Sequence, residues 1–410
     1  MGILDGVRIV ELGRNIATPW MGMIMASLGA EVIKIGETEW LPDIKRHGPS
    51  SPDFSPTCMV WPDYAGGTKS FAVDMHFDEG LRLVGDLIKI SDVFVNNFSL
   101  DAIAKWGLEG QHVKEFKPDI IMVQQPAAGV VGPYKDYVSY GYGMGALGGL
   151  ANITGFPNSA PIAPGHSPAD YHSGVNAAML IVAALERHRR TGKGIQIELP
   201  LYESAVCVTG STLLDYGANA NIRQRIGNRN RYAAPHNAYP CKGEDCFCVI
   251  TVFNDTEWAA LCAVLMNSSL TSDARFSTVI GRLQNEDELD SLIADWTQGQ
   301  DAEDVVEKLQ KAGVGAGVVA KAGDLVDGDN HLRARGWWQW LDDPKWGRVP
   351  ENPVPIRFSD TPLSWAPAPY IGEHNEYVCK ELLKLPQEEF NNLNEKGVLS
   401  TREVLEAFLF

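Results

Sequence analysis

Asp170 stands where a long helix should begin, and its carboxylate is the first candidate for chemistry in this chain. Residues 169–174 read Ala-Asp-Tyr-His-Ser-Gly, and a largely apolar run follows to residue 187. The first turn of a helix leaves backbone N–H groups unpaired and carries the positive end of the helix dipole, so it favours an anionic side chain. A carboxylate kept ionised there is either a helix cap or a nucleophile, and propensity alone favours the cap.

The cysteines offer no second reactive centre. The chain has seven, and Cys241, Cys246 and Cys248 lie close in sequence. No second Cys or His pair follows them at the spacing of a zinc site, so we predict no metal. We also expect no permanently bound cofactor. The thiols are expected to be free, buried or half-buried, in a reducing compartment.

Alternating strands and helices must position Asp170. A strand at 7–12, a helix at 20–28 and a strand at 31–35 form a β–α–β unit. The turn after the first strand lacks the G-x-G-x-x-G of dinucleotide sites. Strands at 69–75, 93–96 and 120–124 alternate with helices at 78–90 and 100–106, which predicts an α/β fold with a doubly wound, Rossmann-like parallel sheet. The glycine-rich residues 141–155 predict either a mobile lid or an irregular packed connection.

The second half of the chain changes character after residue 217. Helices at 174–187 and 202–216 flank a strand at 196–199, and an Arg-rich polar stretch follows. We predict five parts: 1–217 as the first part of the large domain, 218–231 as a linker, 232–330 as a small α+β domain, 331–372 as a second linker, and 373–410 as C-terminal helices that complete the large domain. Residues 336–369 are rich in Pro and Trp and predict little regular structure.

Charge and hydropathy exclude several kinds of partner. The 410 residues include 35 basic and 52 acidic side chains, a net charge of −17. Nonspecific nucleic-acid and anionic-membrane binding need basic surface, so we expect neither. The start of the chain lacks the pattern of a signal peptide, and no apolar run reaches the roughly 18 residues of a membrane span. The sequence therefore predicts a soluble, cytoplasmic protein.

Several segments in the same order resemble the class III CoA-transferases, the family of formyl-CoA, carnitine and bile-acid CoA-transferases. The resemblance covers nearly the whole chain, and Asp170 falls in its most recognisable part. The other matching segments are residues 4–12, 29–34, 43–49, 95–98, 105–108, 184–187, 191–194, 366–367 and 372–374.

The resemblance implies both an assembly and a reaction. Two chains of this family interlock like links, and two long linkers join the small domain to the large one. The resemblance implies that residues 336–369 form a linker that crosses to the other subunit. By the same resemblance Asp170 attacks an acyl-CoA thioester and forms an acyl–aspartyl anhydride, and then an aspartyl-CoA thioester from which a carboxylic acid acceptor receives CoA. This is covalent catalysis by a carboxylate, which divides one difficult exchange into easier steps. A helix N-terminus and nearby backbone N–H groups would stabilise its oxyanions.

The resemblance also implies the residues that contact CoA. The turn after the first strand and the end of the 93–96 strand contact CoA in this family, and nearby basic residues meet its phosphates. The expected CoA-binding residues are Asn15, Ile16, Arg46, Lys69, Asn97, Phe98 and Lys105. Gly36, residues 37–39 and residues 68–69 depart from the family pattern by removing basic or polar contacts. This favours the hypothesis that a paralogous partner subunit supplies the better CoA site, with a homodimer as the alternative.

The sequence says least about which carboxylic acid accepts CoA. Residues 125–129 and 132–133 are similar to the branch that acts on succinyl-CoA and benzylsuccinate-like acids, while an intramolecular CoA shift or a carnitine-type acceptor stays open. Two other functions also stay open: an acyl-CoA racemase, which would need a His partner such as His166 or His172, and a non-catalytic paralogous subunit. The aromatic residues expected to line the acceptor pocket are Trp20, Trp61, Tyr64, Tyr140 and Tyr171.

Overall fold

Strands and helices alternate along the first half of the chain, as their hydrophobic pattern predicts. The computed structural model describes residues 2–36, 64–165, 167–343, 347–351 and 353–400. The elements of this half are β1 Arg8–Leu12, α1 Ala17–Ser27, β2 Glu31–Gly36, β3 Lys69–Ala72, α2 Asp78–Lys89, β4 Val93–Asn96, α3 Leu100–Lys105, α4 Gly110–Phe116, β5 Ile121–Gln124, α5 Gly141–Leu147, α6 Leu150–Ile153, α7 Pro168–Thr191, β6 Ile195–Glu198, α8 Leu201–Val208 and α9 Gly210–Asn219.

The six strands form one parallel sheet in the order β3-β2-β1-β4-β5-β6. This order is that of a doubly wound sheet, in which the chain starts in the middle and winds outward in both directions. Strand residues alternate between the two faces, and both faces are buried, as parallel sheets require. The predicted α/β class with a parallel sheet is confirmed.

The two faces of the sheet have separate cores. One face packs Val10, Ile33 and Phe94 against α2 and the C-terminal residues Val378 and Leu393. The other face contributes alternate strand residues to a core with α1 and α7, where Met21 and Ile181 are buried. A Cβ on Gly174 would lie 2.6 Å from the carbonyl oxygen of Ala17, so this glycine lets α7 approach α1 closely.

The second half of the chain first forms a smaller unit, and its C-terminal part belongs to the same compact unit as the first half. Its elements are β7 His236–Pro240, β8 Phe247–Thr251, α10 Asp255–Val264, α11 Val279–Gln284, α12 Glu286–Thr297, α13 Ala302–Lys311, β9 Gly315–Val318, α14 Asn330–Ala334, β10 Gln339–Asp343, β11 Gly347–Glu351 and α15 Gln387–Glu395, with a 3₁₀ turn at Ser268–Thr271 and π-helical segments at Asp324–Gly328 and Tyr377–Leu382. Strands β7, β8 and β9 form an antiparallel sheet whose core includes Trp258 and Phe276.

The chain divides into two compact units. The first contains residues 1–151, 163–221 and 336–410, and the second contains 152–162 and 222–335. The sequence predicts that residues 152–162 belong to the large domain and residues 222–231 to a linker. In the structure both segments belong to the second unit. Neither segment has the hydrophobic periodicity of a helix or a strand, so the sequence does not show where it packs.

Three predicted elements differ from the structure. The prediction of little regular structure at 336–369 was wrong for β10 and β11, which pair as an antiparallel hairpin. The helix predicted at 202–216 is two helices, because Thr209 ends α8 and begins α9. The first of the C-terminal helices predicted within 373–410 is a π-helical segment, Tyr377–Leu382.

The described residues lack two features that would indicate other functions, a membrane-spanning helix and a metal-binding cluster. No helix in these ranges is both long and apolar enough to cross a membrane. The same residues contain no group of three or more His, Cys, Asp or Glu side chains arranged to hold a metal ion. The six cysteines in this part of the chain are free thiols, and Cys207 is exposed, whereas the sequence predicted buried or half-buried thiols.

Candidate active site

A crevice opens at the carboxyl edge of the parallel sheet, between β1 and β4. These two strands are neighbours, but the chain leaves them in opposite directions, to β2 on one side and to β5 on the other. The loops that follow them therefore separate and leave a gap, which is the position where doubly wound sheets bind ligands. The loop after β1 contains Arg14, Asn15 and Ile16, and the residues after β4 are Asn97 and Phe98.

Asn97 fastens these two loops together. The backbone N–H of Arg14 donates to Oδ1 of Asn97 (2.9 Å), and Nδ2 of Asn97 donates to the backbone oxygen of Arg14 (2.8 Å). Asn15 has φ 63°, a left-handed conformation that Asn adopts more readily than most residues. The Arg14 guanidinium lies 4.9 Å from the centre of the Phe98 ring, which packs edge-on against Trp106. The wall of the crevice is therefore preorganised by side chains of both loops.

The crevice is a cleft of about 1020 Å³. This volume is at the upper end of the range for small-molecule sites, which suits a large substrate. Its lining residues are Arg14, Asn15, Ile16, Asn97, Phe98, Ser99, Leu100, Asp101, Ala102, Trp106, Pro126, Ala127, Lys135, Asp136, Tyr137, Val138, Ser139, Tyr140, Gly141, Tyr142, Ser167, Asp170 and Leu201.

Asp170 lies in the first turn of α7, which begins at Pro168. Proline suits this position because its missing N–H would have no partner there. Asp170 is only 6% exposed. Its Oδ2 accepts a hydrogen bond from the hydroxyl of Ser167 at 2.5 Å, and its backbone N–H donates to the backbone oxygen of Ser167 at 2.9 Å. Within the described part of the chain Oδ1 accepts no hydrogen bond, so the carboxylate presents one fixed oxygen and one available oxygen.

Burial raises the pKa of Asp170, and the Ser167 hydrogen bond opposes that rise. Desolvation disfavours the charged form of a carboxyl group, whereas a hydrogen bond to the carboxylate favours it. A partly desolvated carboxylate is also a better nucleophile than a fully hydrated one, because less water must be removed before it attacks. The arrangement suits nucleophilic attack on a bound electrophile.

Gly141 lies against this carboxylate. It is the first residue of α5, and a Cβ added to it would lie 1.9 Å from Oδ2 of Asp170 and 1.9 Å from Oγ of Ser167. Both distances are far below van der Waals contact, so only glycine leaves the pair in place. The glycine-rich segment that the sequence predicted as a lid or a packed connection contains α5 and packs around the nucleophile candidate.

The structure brings together six of the residues predicted as site residues. Asp170 and five others line the cleft: Asn15, Ile16, Asn97, Phe98 and Tyr140. Trp20, Tyr64 and Tyr171 are not among the lining residues and form an aromatic cluster of their own. In that cluster the hydroxyls of Tyr64 and Tyr171 lie 2.6 Å apart, and the Tyr171 ring packs edge-on against Trp20.

The remaining predicted residues lie elsewhere. Lys69 begins β3, and its ammonium group lies 4.7 Å from the ring centre of Tyr377, whose hydroxyl donates to Glu31 at the amino end of β2. Lys69 is thus directed away from the carboxyl edge. Lys105 is exposed at the last residue of α3 and does not line the cleft, although Trp106 does. Arg46, Trp61 and His166 lie outside the described residues.

Three cleft residues were missed by the sequence reasoning. Arg14 and Lys135 are the cations of the lining, and Ser167 is the hydrogen-bond donor to Asp170. Arg14 directly precedes Asn15 in the predicted turn, so the turn itself was a signal for it. Ser167 lies three residues before Asp170, which is the spacing that places the two on one side of a helix start. Lys135 had no comparable signal.

Comparison with known proteins assigns the family. Residues 4–375 match CoA-transferase family III. A succinyl-CoA–D-citramalate CoA-transferase of Chloroflexus aurantiacus is 32% identical over 401 residues, which cover 97% of this chain and 98% of that protein. The beta subunit of a succinyl-CoA–L-malate CoA-transferase of the same organism is 28% identical, with 97% and 98% covered. The crystal structure of a CAIB/BAIF family protein from Brucella suis has a TM-score of 0.84 and 31% identity, and covers 93% of this chain and 100% of its own. This chain therefore belongs to CoA-transferase family III and is a CoA-transferase.

Proposed function

We propose that this enzyme moves CoA from succinyl-CoA to a substituted dicarboxylic acid, with Asp170 as the nucleophile. The position of Asp170 carries the proposal. Its buried carboxylate lines a cleft at the carboxyl edge of the sheet, next to the two loops that the family resemblance assigns to CoA. A residue that only capped α7 would not need to lie in a cleft.

The proposed reaction has four steps. Oδ1 of Asp170 attacks the thioester carbonyl carbon, the C–S bond breaks, and CoA thiolate leaves a succinyl–aspartyl anhydride. The thiolate then attacks the aspartyl carbonyl carbon, which releases succinate and leaves an aspartyl-CoA thioester. The acceptor carboxylate attacks this thioester and displaces the thiolate, and the thiolate finally takes the acceptor acyl group and returns Asp170 to its ionised form. No net proton is consumed, and covalent catalysis divides one exchange into steps of similar difficulty.

The cleft offers a CoA site with few cations. Asn15, Ile16, Asn97 and Phe98 contribute backbone, amide and aromatic surface, and Arg14 and Lys135 provide positive charge for the phosphates. In a chain with a net charge of −17 such local cations are needed to hold a polyanion. We propose Arg14 and Lys135 as phosphate contacts in preference to Lys69 and Lys105.

The acceptor is proposed from the relatives and from the cleft wall. Citramalate and malate, the acids in the two relatives' names, are short substituted dicarboxylates. Tyr137, Val138, Tyr140 and Tyr142 add exposed apolar surface to the cleft lining. These side chains also suit an aryl-substituted succinate, the type of acceptor suggested by residues 125–129.

The proposed partner is a second CoA-transferase chain. One relative is named as a beta subunit, which supports the heteromer with a paralogous subunit, and the interlocked homodimer remains the other form of the same proposal. If the isolated chain binds CoA but transfers none, it is the non-catalytic member of such a pair.

The deciding experiment measures CoA transfer from succinyl-CoA to D-citramalate, L-malate and benzylsuccinate. Asp170→Ala should lower the turnover by more than about 10⁴-fold, as removal of a covalent nucleophile does. Asp304→Ala removes an exposed carboxylate that does not line the cleft and should leave the rate near that of the wild type. Full activity of the Asp170→Ala variant would refute the assignment of the nucleophile. Transfer to another carboxylic acid but to none of these three would refute the proposed acceptor class.

A further inference from the structure

Ser167 is held in an unfavourable backbone conformation directly beside the proposed nucleophile. Its φ of 50° and ψ of 64° lie in the left-handed region, which residues other than glycine seldom adopt. It is 3% exposed. Such strain persists only where the surrounding structure enforces it, and it concentrates at functional sites.

The Ser167 hydroxyl does not make the hydrogen bond that is usual for a serine at the start of a helix. Ser167 is the N-cap residue of α7, where a serine side chain normally accepts a hydrogen bond from a backbone N–H of the first turn. No such cap hydrogen bond is present. The hydroxyl instead donates to Oδ2 of Asp170, at 2.5 Å, in a space that Gly141 leaves open.

We propose that the Ser167 hydroxyl stabilises the oxyanion that forms on Oδ2 of Asp170 when the aspartyl carbonyl carbon is attacked. The inference rests on the proposed function, because it requires Asp170 to become acylated.

The assignment of the two oxygens follows from the geometry. Oδ2 is held by Ser167, so Oδ1 forms the bond to the acyl carbon in the first step, and Oδ2 becomes the carbonyl oxygen of the anhydride. When CoA thiolate adds to the aspartyl carbon, the C=O π electrons move to Oδ2 and give it a full negative charge. The Ser167 hydroxyl donates to that charge and keeps its proton. Expulsion of succinate then restores the C=O bond of the aspartyl-CoA thioester.

The same donor serves only two of the four steps. Attack by the thiolate on the anhydride and attack by the acceptor carboxylate on the thioester both place negative charge on Oδ2. In the first and fourth steps the tetrahedral carbon belongs to the substrate, and its oxyanion lies elsewhere. Loss of one preorganised oxyanion donor slows the affected step by about 10²–10³-fold. Removal of the hydroxyl should therefore slow the middle steps selectively.

Selective slowing is measurable as a ratio of covalent adducts. The enzyme is mixed with succinyl-CoA without an acceptor, quenched in acid and examined by intact-protein mass spectrometry, which distinguishes a succinyl adduct from a CoA adduct by mass. Ser167→Ala and Ser167→Gly both remove the hydroxyl, but glycine also relieves the left-handed strain. Ser204→Ala is the matched control, because Ser204 is also 3% exposed and its hydroxyl has no hydrogen-bond partner in the described part of the chain.

Both Ser167 variants should raise the initial ratio of succinyl adduct to CoA adduct by about 10²-fold, while Ser204→Ala keeps the wild-type ratio. A merely structural role for Ser167 would lower both adducts together. An unchanged ratio in the Ala and Gly variants would overturn the inference and leave the proposed function intact. If the wild type forms neither adduct, the proposed function itself is wrong, and this inference fails with it.

Discussion

Gly141 decides whether Asp170 can occupy its observed position. Because the added Cβ of Gly141→Ala would meet the ends of two flexible side chains, the backbone can stay and the carboxylate must move. We expect the variant to fold normally and to lose about 10²-fold or more in turnover, since a displacement of about 1 Å at a reacting group has that effect. Steady-state transfer rates and melting temperatures measure the two expectations separately.

Gly145→Ala is the control for this prediction. Gly145 lies in the same helix, α5, and its added Cβ would approach only Cδ1 of Leu150, at 3.8 Å, which is ordinary contact. Alanine is also the better helix former, so this variant should keep its activity and be slightly more stable. Equal activity of the two variants would show that the space beside Asp170 is not critical.

The buried carboxylate of Asp170 should also lower the stability of the folded enzyme near neutral pH. Burial raises its pKa in the folded state, so the folded chain binds a proton more tightly than the unfolded chain does. As pH rises from the unfolded pKa through the raised folded pKa, the folded state loses stability relative to the unfolded state. Below both pKa values this penalty is absent.

Asp170→Asn removes that penalty and keeps an oxygen that can accept from Ser167. We expect the variant to be inactive, to melt at a higher temperature than the wild type at about pH 7, and to lose this advantage at about pH 4. Thermal unfolding of the two proteins across this range isolates the contribution of one carboxyl group. A melting temperature below that of the wild type at neutral pH would contradict a raised pKa of Asp170 in the folded state.

At the scale of elements, Asn97 links the loops after β1 and β4, which form the proposed CoA side of the cleft. Asn97→Ala deletes both hydrogen bonds to Arg14. The expected loss is about 1–3 kcal/mol of unfolding free energy and about a tenfold weaker CoA affinity. Chemical denaturation and calorimetric titration with CoA measure the two effects.

Asn219→Ala is the matched change at an exposed position. Asn219 ends α9, and its Nδ2 donates to Asp215 on the surface. Surface substitutions of this kind change stability by less than about 0.5 kcal/mol, and CoA affinity should not change. If Asn97→Ala binds CoA as tightly as Asn219→Ala does, the two loops do not form the CoA site.

The sequence predicts the elements of the sheet well and the contacts around Asp170, the proposed nucleophile, poorly. The strands from β1 to β6 carry β-rich apolar runs, and the turn residues Asn15 and Asn97 follow them directly, so both the strands and the cleft edge could be inferred. A buried ion pair between Glu11 and Lys34 could not, because two charged residues in neighbouring strands give no signal until the register sets Nζ and Oε1 2.7 Å apart. The position of Lys69 could not be inferred either, because the sequence does not show that Lys69 lies at the amino end of β3 with its ammonium group over the Tyr377 ring.

At the scale of the whole molecule, the exposed apolar side chains of α7 and α9 indicate a partner. Val175, Met179 and Val182 follow one another at helical spacing on α7 and are 50%, 62% and 42% exposed. Along α9 no residue is buried, and Leu214 is 75% exposed. Exposed apolar side chains grouped along a helix are typical of an interaction surface. We propose a second copy of this chain as that partner, which corresponds to the homodimer named under the proposed function.

Met179→Asp tests whether α7 is part of that interface. A carboxylate at the centre of an apolar interface would be desolvated without a partner, so the variant should shift toward a monomer and lose activity with it. The control is Met266→Asp, which makes the same change at a methionine that is 91% exposed in the other unit and has φ 53°, a conformation that Asp tolerates. Sedimentation velocity and transfer assays at matched concentrations measure both variants. A wild type that sediments as a monomer while active would refute the homodimer, whereas an inactive monomer that gains activity on addition of a paralogous chain would identify the heteromer.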